Sequence, residues 1–283
     1  MLVTLCHEFL RMVAQRRKQR FERRFTRSSL VSATAISMVR AVPRISMAEL
    51  ELVNWEFGKL WVFKEDRGCS NVVRQYGEYS PFEVYIAAAY IGQNDVVMDI
   101  GANIGALTIP LAKMAKKVYA VEPQAEVREV LCENLKLAGV TNVEVLPFAV
   151  GCKHGTGGYT VDVRSIGSTV IADTGEVPVE VFTLDELGIV PNFIKMDVET
   201  AEIAVLFGGC TMLSIAKPTL LIERQAETTL ELFKFLSKLG YTISVMDLPM
   251  FIPNNRAKNL VNHYPNQGHL MVLGVGKIDA KIS

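Results

Sequence analysis

No stretch of this chain holds the ~18 consecutive apolar residues that a membrane-spanning helix needs. The nearest runs are the short SLVSATAISMV and VYIAAAYI. Cysteine is scarce and odd in number, with Cys6, Cys69, Cys132, Cys152 and Cys210 and no C-x-x-C pair, so neither a disulfide framework nor a zinc site is indicated. A reducing, cytoplasmic compartment is the expectation. Net charge is missing too: 30 Lys and Arg balance 30 Asp and Glu, so no overall field points to nucleic acid, and nucleic acid is not expected as a partner. No internal repeat or low-complexity segment is visible. Carboxylates could gather Mg²⁺, but no ligand spacing demands a metal, and none is expected.

What is there begins with an uneven distribution of charge. Between Phe9 and Ala48 ten Lys and Arg face one acid, Glu22, which leaves the remainder acidic. Residues 1–46 read as a basic extension outside the fold: a dispensable leader, a transit peptide, or an arm for peripheral contact with an anionic membrane. A pattern typical of folded protein starts at Met47, which suggests Met47 as the natural start. Residues 47–283, rich enough in apolar side chains for a sizeable core, read as one α/β domain with a lead-in over 47–94.

Within that domain, short apolar runs alternate with amphipathic stretches. Strands are predicted at 95–100, 117–122, 142–148, 193–198, 219–223, 242–247 and 270–275. Helices are predicted from Ser80 and Pro81, over GALTIPLAKMA, over QAEVREVLCENLKLAG ending at Gly139, and over TTLELFKFLSKLG. Strands joined by crossover helices imply a parallel sheet covered on both faces. Residues 151–190 read as a Gly-rich insertion with short β segments.

The first strand runs into DIGANIGALT, where Gly101 suits a sharp turn close to a ligand. Aligned to the dinucleotide pattern G-x-G-x-x-G/A, the chain gives Gly101, Asn103 and Ala106, and the Asn103 side chain would intrude on a pyrophosphate. The turn Gly101 to Gly105 instead stays open for a ligand without one. Glu122, followed by Pro123, ends the second strand, where a carboxylate accepts two hydrogen bonds from a ribose diol. A solvated strand end is the blander account of Glu122.

S-adenosylmethionine supplies such a diol and no pyrophosphate. Asp99 or Asp197 would take its ammonium, and the amides around Gly101, Ala102 and Asn103 its carboxylate or the ribose edge. Phe148 and Ala149, after the third strand, are candidates to meet adenine, although plain packing explains Phe148 equally well. Tyr76, Glu78 and Tyr79 in QYGEYS are lid candidates.

For chemistry, Asp197, Glu199 and Glu202 cluster after the fourth strand and Glu223 ends the fifth, at the carboxyl ends where open α/β sheets bind ligands. Asp197, as tail anchor or base, is the strongest candidate, with Glu199 and Glu223 beside it. Glu202 is equally well explained as an acid offsetting a helix dipole. His263 and His269 flank the last strand, and His263 is the imidazole candidate for a base.

YGEYSPFE, VVMDIGANIGALTIPLA, YAVEPQAEVREVLCENLKLAGVTNVEVLPFAVG, TLDELGIVPNFIKMDVETAEIAVLFGG and KPTLLIERQ, in this order, resemble the FkbM-type methyltransferases from about Gly58 to Gly276. The resemblance implies the class I, Rossmann-like fold with seven strands in the order 3-2-1-4-5-7-6, strand 7 antiparallel and helices on both faces. It also implies S-adenosylmethionine as cofactor and methyl transfer to a hydroxyl of a sugar, glycan or other small metabolite. One departure is Thr200, which stands where the family segment D-V-E-G-x-E has glycine; Thr200 reads as a helix N-cap or as a narrowing of the acceptor space. Two other classes stay open: a nicotinamide-dependent oxidoreductase, opposed by Asn103 and by the lack of a Tyr-x-x-x-Lys pair, and a non-catalytic binding protein on the same fold.

Overall fold

The computed structural model describes residues 49–276, apart from 161, 163, 173, 225–228 and 266. The basic extension and the suggested start at Met47 lie outside the described residues.

A hairpin opens the fold, β1 (Leu50–Trp55) pairing antiparallel with β2 (Gly58–Phe63). Two helices follow, α1 (Cys69–Tyr76) and α2 (Pro81–Tyr90), the second started by a proline at its first position, where a missing N–H costs nothing. Ser80 precedes it without capping a backbone amide; its hydroxyl donates instead to Glu83 at 2.6 Å. The alternating part then runs β3 (Val96–Ile100), α3 (Thr108–Met114), β4 (Lys117–Val121), α4 (Ala125–Leu137) and β5 (Val143–Leu146). Gly139, at φ 64°, closes α4 in the left-handed conformation that the sequence suggested.

The insertion forms a small sheet, β6 (Ala149–Val150), β7 (Gly155–Tyr159) and β8 (Val177–Phe182), with β8 in the middle, followed by the short α5 (Leu184–Leu187). The rest is β9 (Phe193–Met196), α6 (Glu202–Gly208), α7 (Cys210–Ala216), β10 (Thr219–Glu223), α8 (Thr229–Lys238), β11 (Tyr241–Pro249) and β12 (Gly268–Gly276).

The main sheet has seven strands in the spatial order β5-β4-β3-β9-β10-β12-β11. Numbered along the chain within this sheet, that is 3-2-1-4-5-7-6, and β12 runs antiparallel to both of its neighbours. Side chains alternate between faces. Met98, Ile100, Ile194, Met196, Leu220 and Ile222 pack with residues of α5 to α8, whereas Val97, Phe193, Leu221 and Met271 pack against α2 and α3. The alternation decides where the polar tips go, because Asp99, Lys195, Asp197 and Glu223 have the parity of the second set and lie on the α2 side. The hairpin is fastened to this frame by Asn134 of α4, fully buried, which accepts from the Trp61 amide and donates to the Trp61 and Ile104 carbonyls. One side chain thus joins the lead-in to the loop after β3.

Among the described residues no helix is long and apolar enough to cross a membrane, no group of His, Cys, Asp and Glu is arranged to hold a metal ion, and the four cysteines are free.

Candidate active site

An open cleft of about 610 Å³, its solvent-open mouth included, lies across the carboxyl ends of β3, β4 and β9. Its walls include Gly101, Asn103, Glu122, Pro123, Ala149, Asp197 and Glu199, which the sequence had singled out, and Ile166, Gly167, Thr169 and Ile171, which it had not. Gly101 is at φ 85°, and a Cβ there would sit 1.8 Å from the Asp197 carbonyl oxygen, so the loop after β3 can lie against the end of β9 only as glycine. Asn103 also has a positive φ, 50°, which asparagine tolerates better than most side chains, and its Oδ1 accepts from the next amide at 2.7 Å.

The amides of this loop are not available to a ligand as expected. Those of Gly101 and Ala102 both donate to the Val121 carbonyl at 3.0 Å, and that of Asn103 donates to Glu122 at 2.9 Å. The polar capacity of the loop is spent on holding β4. Glu122 is its counterpart: one carboxylate oxygen accepts from Asn103 and the other from Gln124, both at 2.9 Å. Burial is the stronger influence and pushes the Glu122 carboxyl up to about 7, against the pull of these amides and of Arg128.

Gln124 clamps the insertion over the cleft. Its amide donates to the Ile166 carbonyl at 3.1 Å, and its carbonyl accepts from the Thr169 hydroxyl at 3.0 Å. Ser168, between them, hydrogen-bonds Glu199, whose carboxyl is pushed up to about 7 by burial and by the charges of Asp197, Glu223 and Glu202.

Beside the cleft, on the α2 face, lies a cluster of charges. Lys195, 4% exposed in the middle of β9, places Nζ 3.3 Å from Asp197 Oδ2 and faces Asp99 across the β3–β9 register. Asp99 is fully buried, accepts from the Thr108 hydroxyl at 2.6 Å and has no place in the cleft wall. Asp197 and Glu223 follow the last register pair of β9 and β10, Met196 with Ile222, so their side chains leave adjacent strand tips on one face. His269 Nδ1 lies 3.1 Å from Glu223 Oε1. The sequence missed Lys195, although a lysine inside the apolar run FIKM was a usable signal, because a central parallel strand has no solvent to offer it.

His263 is exposed, with Nε2 3.4 Å from the Asn259 amide, and it packs near Tyr76 away from the carboxylates; His269 occupies the position imagined for it. Phe148 packs tilted against Phe182, ring centroids 4.7 Å apart at 56°, against the α5–α8 core and not in the cleft. Gly105 serves packing, since a Cβ there would meet Leu131 at 2.7 Å, and Ala102 is buried beneath the loop. Glu78 lies beside Glu56 and the Arg256 backbone, outside the cleft wall, and Tyr76 is buried in the core, so neither forms a lid.

Thr200 caps nothing: α6 starts at Glu202 after Ala201, with no side-chain cap, and Glu202 itself accepts from the nearby backbone amides of Thr200 and Val198. Instead Glu199 and Thr200 are consecutive residues at positive φ, 43° and 71°. A β-branched residue is strained there, and glycine is not. Thr200→Gly should therefore raise stability by about 1 kcal/mol, or about 3 °C in Tm, after the extra chain entropy of glycine is subtracted. A thermal melt that fails to rise would refute the strain.

Residues 99–243, just over half of the chain, match the model of the family described as the methyltransferase FkbM domain. A probable ribosomal RNA small subunit methyltransferase A of Methanosphaera stadtmanae is 36% identical over 63 residues, 22% of this chain and 23% of that protein. The tRNA(Phe) (4-demethylwyosine(37)-C(7)) aminocarboxypropyltransferase of Methanocaldococcus jannaschii is 39% identical over 98 residues, 34% of this chain and 36% of that protein. The chain thus spans about a quarter to a third of the length of these curated relatives. The crystal structure of methyltransferase FkbM from Methylobacillus flagellatus superposes with a TM-score of 0.48 at 20% identity, covering 65% of this chain and 44% of that one.

The relatives named for ribosomal and transfer RNA overturn the expectation that excluded nucleic acid. Net charge averages over the whole chain and carries no information about one face of it. The residues present fit the cofactor the family implies: an acid at the tip of β4, a glycine-dependent turn after β3 whose Gly101, Ala102 and Asn103 amides are already paired and offer no cradle to a pyrophosphate, and a carboxylate just after β9, all on one cleft. The chain belongs to the FkbM methyltransferase domain family, and its cofactor is S-adenosylmethionine.

Proposed function

We propose that the protein transfers a methyl group from S-adenosylmethionine to a hydroxyl oxygen of a small molecule, sugar or glycan. The observation that carries the reading is the pair of carboxylates at adjacent strand tips, Asp197 and Glu223, each held from behind by a buried cation. Lys195 and His269 keep 5% and 10% of their side-chain surface exposed, whereas Asp197 and Glu223 each keep 24%. The cations are shut in and the carboxylates look out.

When bound, the sulfonium supplies an activated methyl carbon, whose bond to sulfur breaks as the bond to the acceptor oxygen forms, the electron pair returning to sulfur. Positioning contributes most of the rate in such a displacement. Glu122 is the residue to hold the ribose diol, with Pro123, Ala149, Ile166 and Ile171 as apolar walls for the adenosine. Asp197, in the cleft wall, offers its charge to the cationic tail. Glu223, on the neighbouring tip, takes the hydroxyl proton, and burial beside Asp197 raises its carboxyl above the usual range, toward the pH at which a carboxylate works best as a base. Gln124, Thr169 and the Ser168–Glu199 contact hold the insertion over the cleft and keep water from the methyl group.

Incubation with methyl-labelled S-adenosylmethionine and a panel of hydroxyl compounds, sugars, RNA and protein tests the reading. Label should appear as an alkali-stable ether on a sugar or small-molecule hydroxyl. Transfer exclusively to RNA or to protein would overturn it.

A further inference from the structure

We propose that His269 is a positioning residue of this site: held in the core, its imidazole fixes the Glu223 carboxylate at the end of β10 and keeps it charged for the acceptor hydroxyl. The inference rests on the methyl-transfer reading above.

The geometry of the contact is built from both sides. Glu223 pairs with Met271 across the antiparallel β10–β12 ladder, and His269, two residues earlier on β12, shares the face of Met271. Its Nδ1 meets Glu223 Oε1 at 3.1 Å, while among the described residues Nε2 has no hydrogen-bond partner. The Tyr79 ring stands edge-on to the imidazole, 5.8 Å between centroids at 81°, and fixes its plane. Backbone placement is equally constrained, because a Cβ on the preceding Gly268 would lie 2.5 Å from Asp247 Oδ1 and 2.7 Å from the Leu248 carbonyl. The start of β12 is pressed onto β11 and cannot slide.

The charged groups acting on the imidazole are Glu223 on β10, Glu83 on α2 and Asp197 just after β9; Lys195 of β9 acts on Glu223, the Tyr79 ring packs on the imidazole, and Asp247 of β11 lies beside the neighbouring Gly268. Burial disfavours the cation, but the hydrogen bond and charge of Glu223, with Glu83 and Asp197 behind it, outweigh burial and push the imidazole up to about 9. His269 is therefore an imidazolium at neutral pH and does not itself accept the proton. Its positive charge acts on Glu223, whose carboxyl burial and Asp197 raise while His269 and Lys195 pull it down. Without His269 one of the two restraints is gone, so the Glu223 carboxyl must rise further.

His269→Gln should move the acidic limb of the kcat profile, taken with S-adenosylmethionine saturating, upward by about one pH unit and lower turnover about tenfold on the acidic side of both limbs. KM for S-adenosylmethionine should stay within about twofold, and activity should recover on the alkaline side of the shifted limb. A purely structural role would lower activity at every pH and leave the limb in place, which would overturn the proposal. A second measurement needs neither cofactor nor acceptor. NMR titration of the wild-type imidazoles, four in the chain, should show one with a pKa of about 9, and in Glu223→Gln that resonance should titrate near or below the ordinary histidine value. If His269 titrates near the ordinary value in the wild type, or is unmoved by Glu223→Gln, the proposal fails even where His269→Gln does not fold. Failure of the wild type to methylate any hydroxyl would instead remove the proposed function, and the titration would still judge the pairing.

Discussion

Gly101→Ala should be the most damaging single-methyl change in the chain. Alanine at φ 85° costs about 1–2 kcal/mol from backbone conformation alone. The added Cβ would also sit 1.8 Å from the Asp197 carbonyl oxygen, and that neighbour is backbone. Relief requires the tips of β3 and β9 to separate, yet these are central parallel strands joined through Ile100 and Met196 and, just beyond, by the Asp197 amide donating to the Ile100 carbonyl at 2.9 Å. The same displacement carries away the Gly101 and Ala102 amides from Val121, and with them the loop that presents Asn103 to Glu122. A loss of more than about 4 kcal/mol is expected, in the range reserved for broken backbone geometry in a core. In a thermal melt this reads as a fall of about 10 °C or more. Gly105→Ala is the useful comparison, since at φ 91° it carries the same backbone strain while its Cβ would meet side-chain methyls, Leu131 Cδ1 at 2.7 Å and Ile109 Cδ1 at 3.9 Å, and no backbone atom. Equal melting points for the two variants would contradict the close approach of the strand tips.

Gly101 was legible in the sequence because its requirement is local: a buried strand, a turn, and a helix pattern within a dozen residues. Glu122, Asp197 and Glu223 were legible for the same reason, each being the polar residue that ends an apolar run. What the sequence did not show were pairings made across the chain. His269 reaches Glu223 over 46 residues, through the register of β12 on β10, and nothing in NHYPNQGHL distinguishes it from His263 six residues earlier. Phe148 illustrates the same limit, because which face of the fold it joins is decided by Phe182, far along the chain on β8. The segment Ile166–Thr169 has no periodicity, and its place over the cleft depends on the two hydrogen bonds of Gln124. Thr200 was noticed, but the physical content of the departure, a left-handed backbone, is a property of angles that residue types only suggest.

Glu122 is a structural group that lines the cleft and, in the function proposed above, also the group that holds the ribose. Its two oxygens already accept from Asn103 and Gln124, and each still has a second lone pair to offer toward the cleft. A ribose diol donates two hydrogen bonds, so it needs the carboxylate in its charged form. Hydrogen bonds to a charged group contribute about 1.5–3 kcal/mol each, and losing two lowers affinity for S-adenosylmethionine about 10²- to 10⁴-fold in Glu122→Ala. The variant also strands two backbone donors, so its fold is checked by thermal melting before binding is measured by calorimetry. The pH dependence gives an independent sign. Burial pushes the Glu122 carboxyl up to about 7 in the free protein, so below that value the carboxyl is protonated and must release a proton before both hydroxyls can bind. Affinity should therefore rise as pH increases from about 6 to 8 and level off above, with proton release on binding at the lower end. In Glu122→Gln this dependence should vanish, and affinity should fall at least about tenfold, because an amide side chain turns an N–H toward one of the two backbone donors that the carboxylate accepts from. An affinity for S-adenosylmethionine that is flat from pH 6 to 8 in the wild type and unchanged in Glu122→Ala would remove the ribose from the tip of β4.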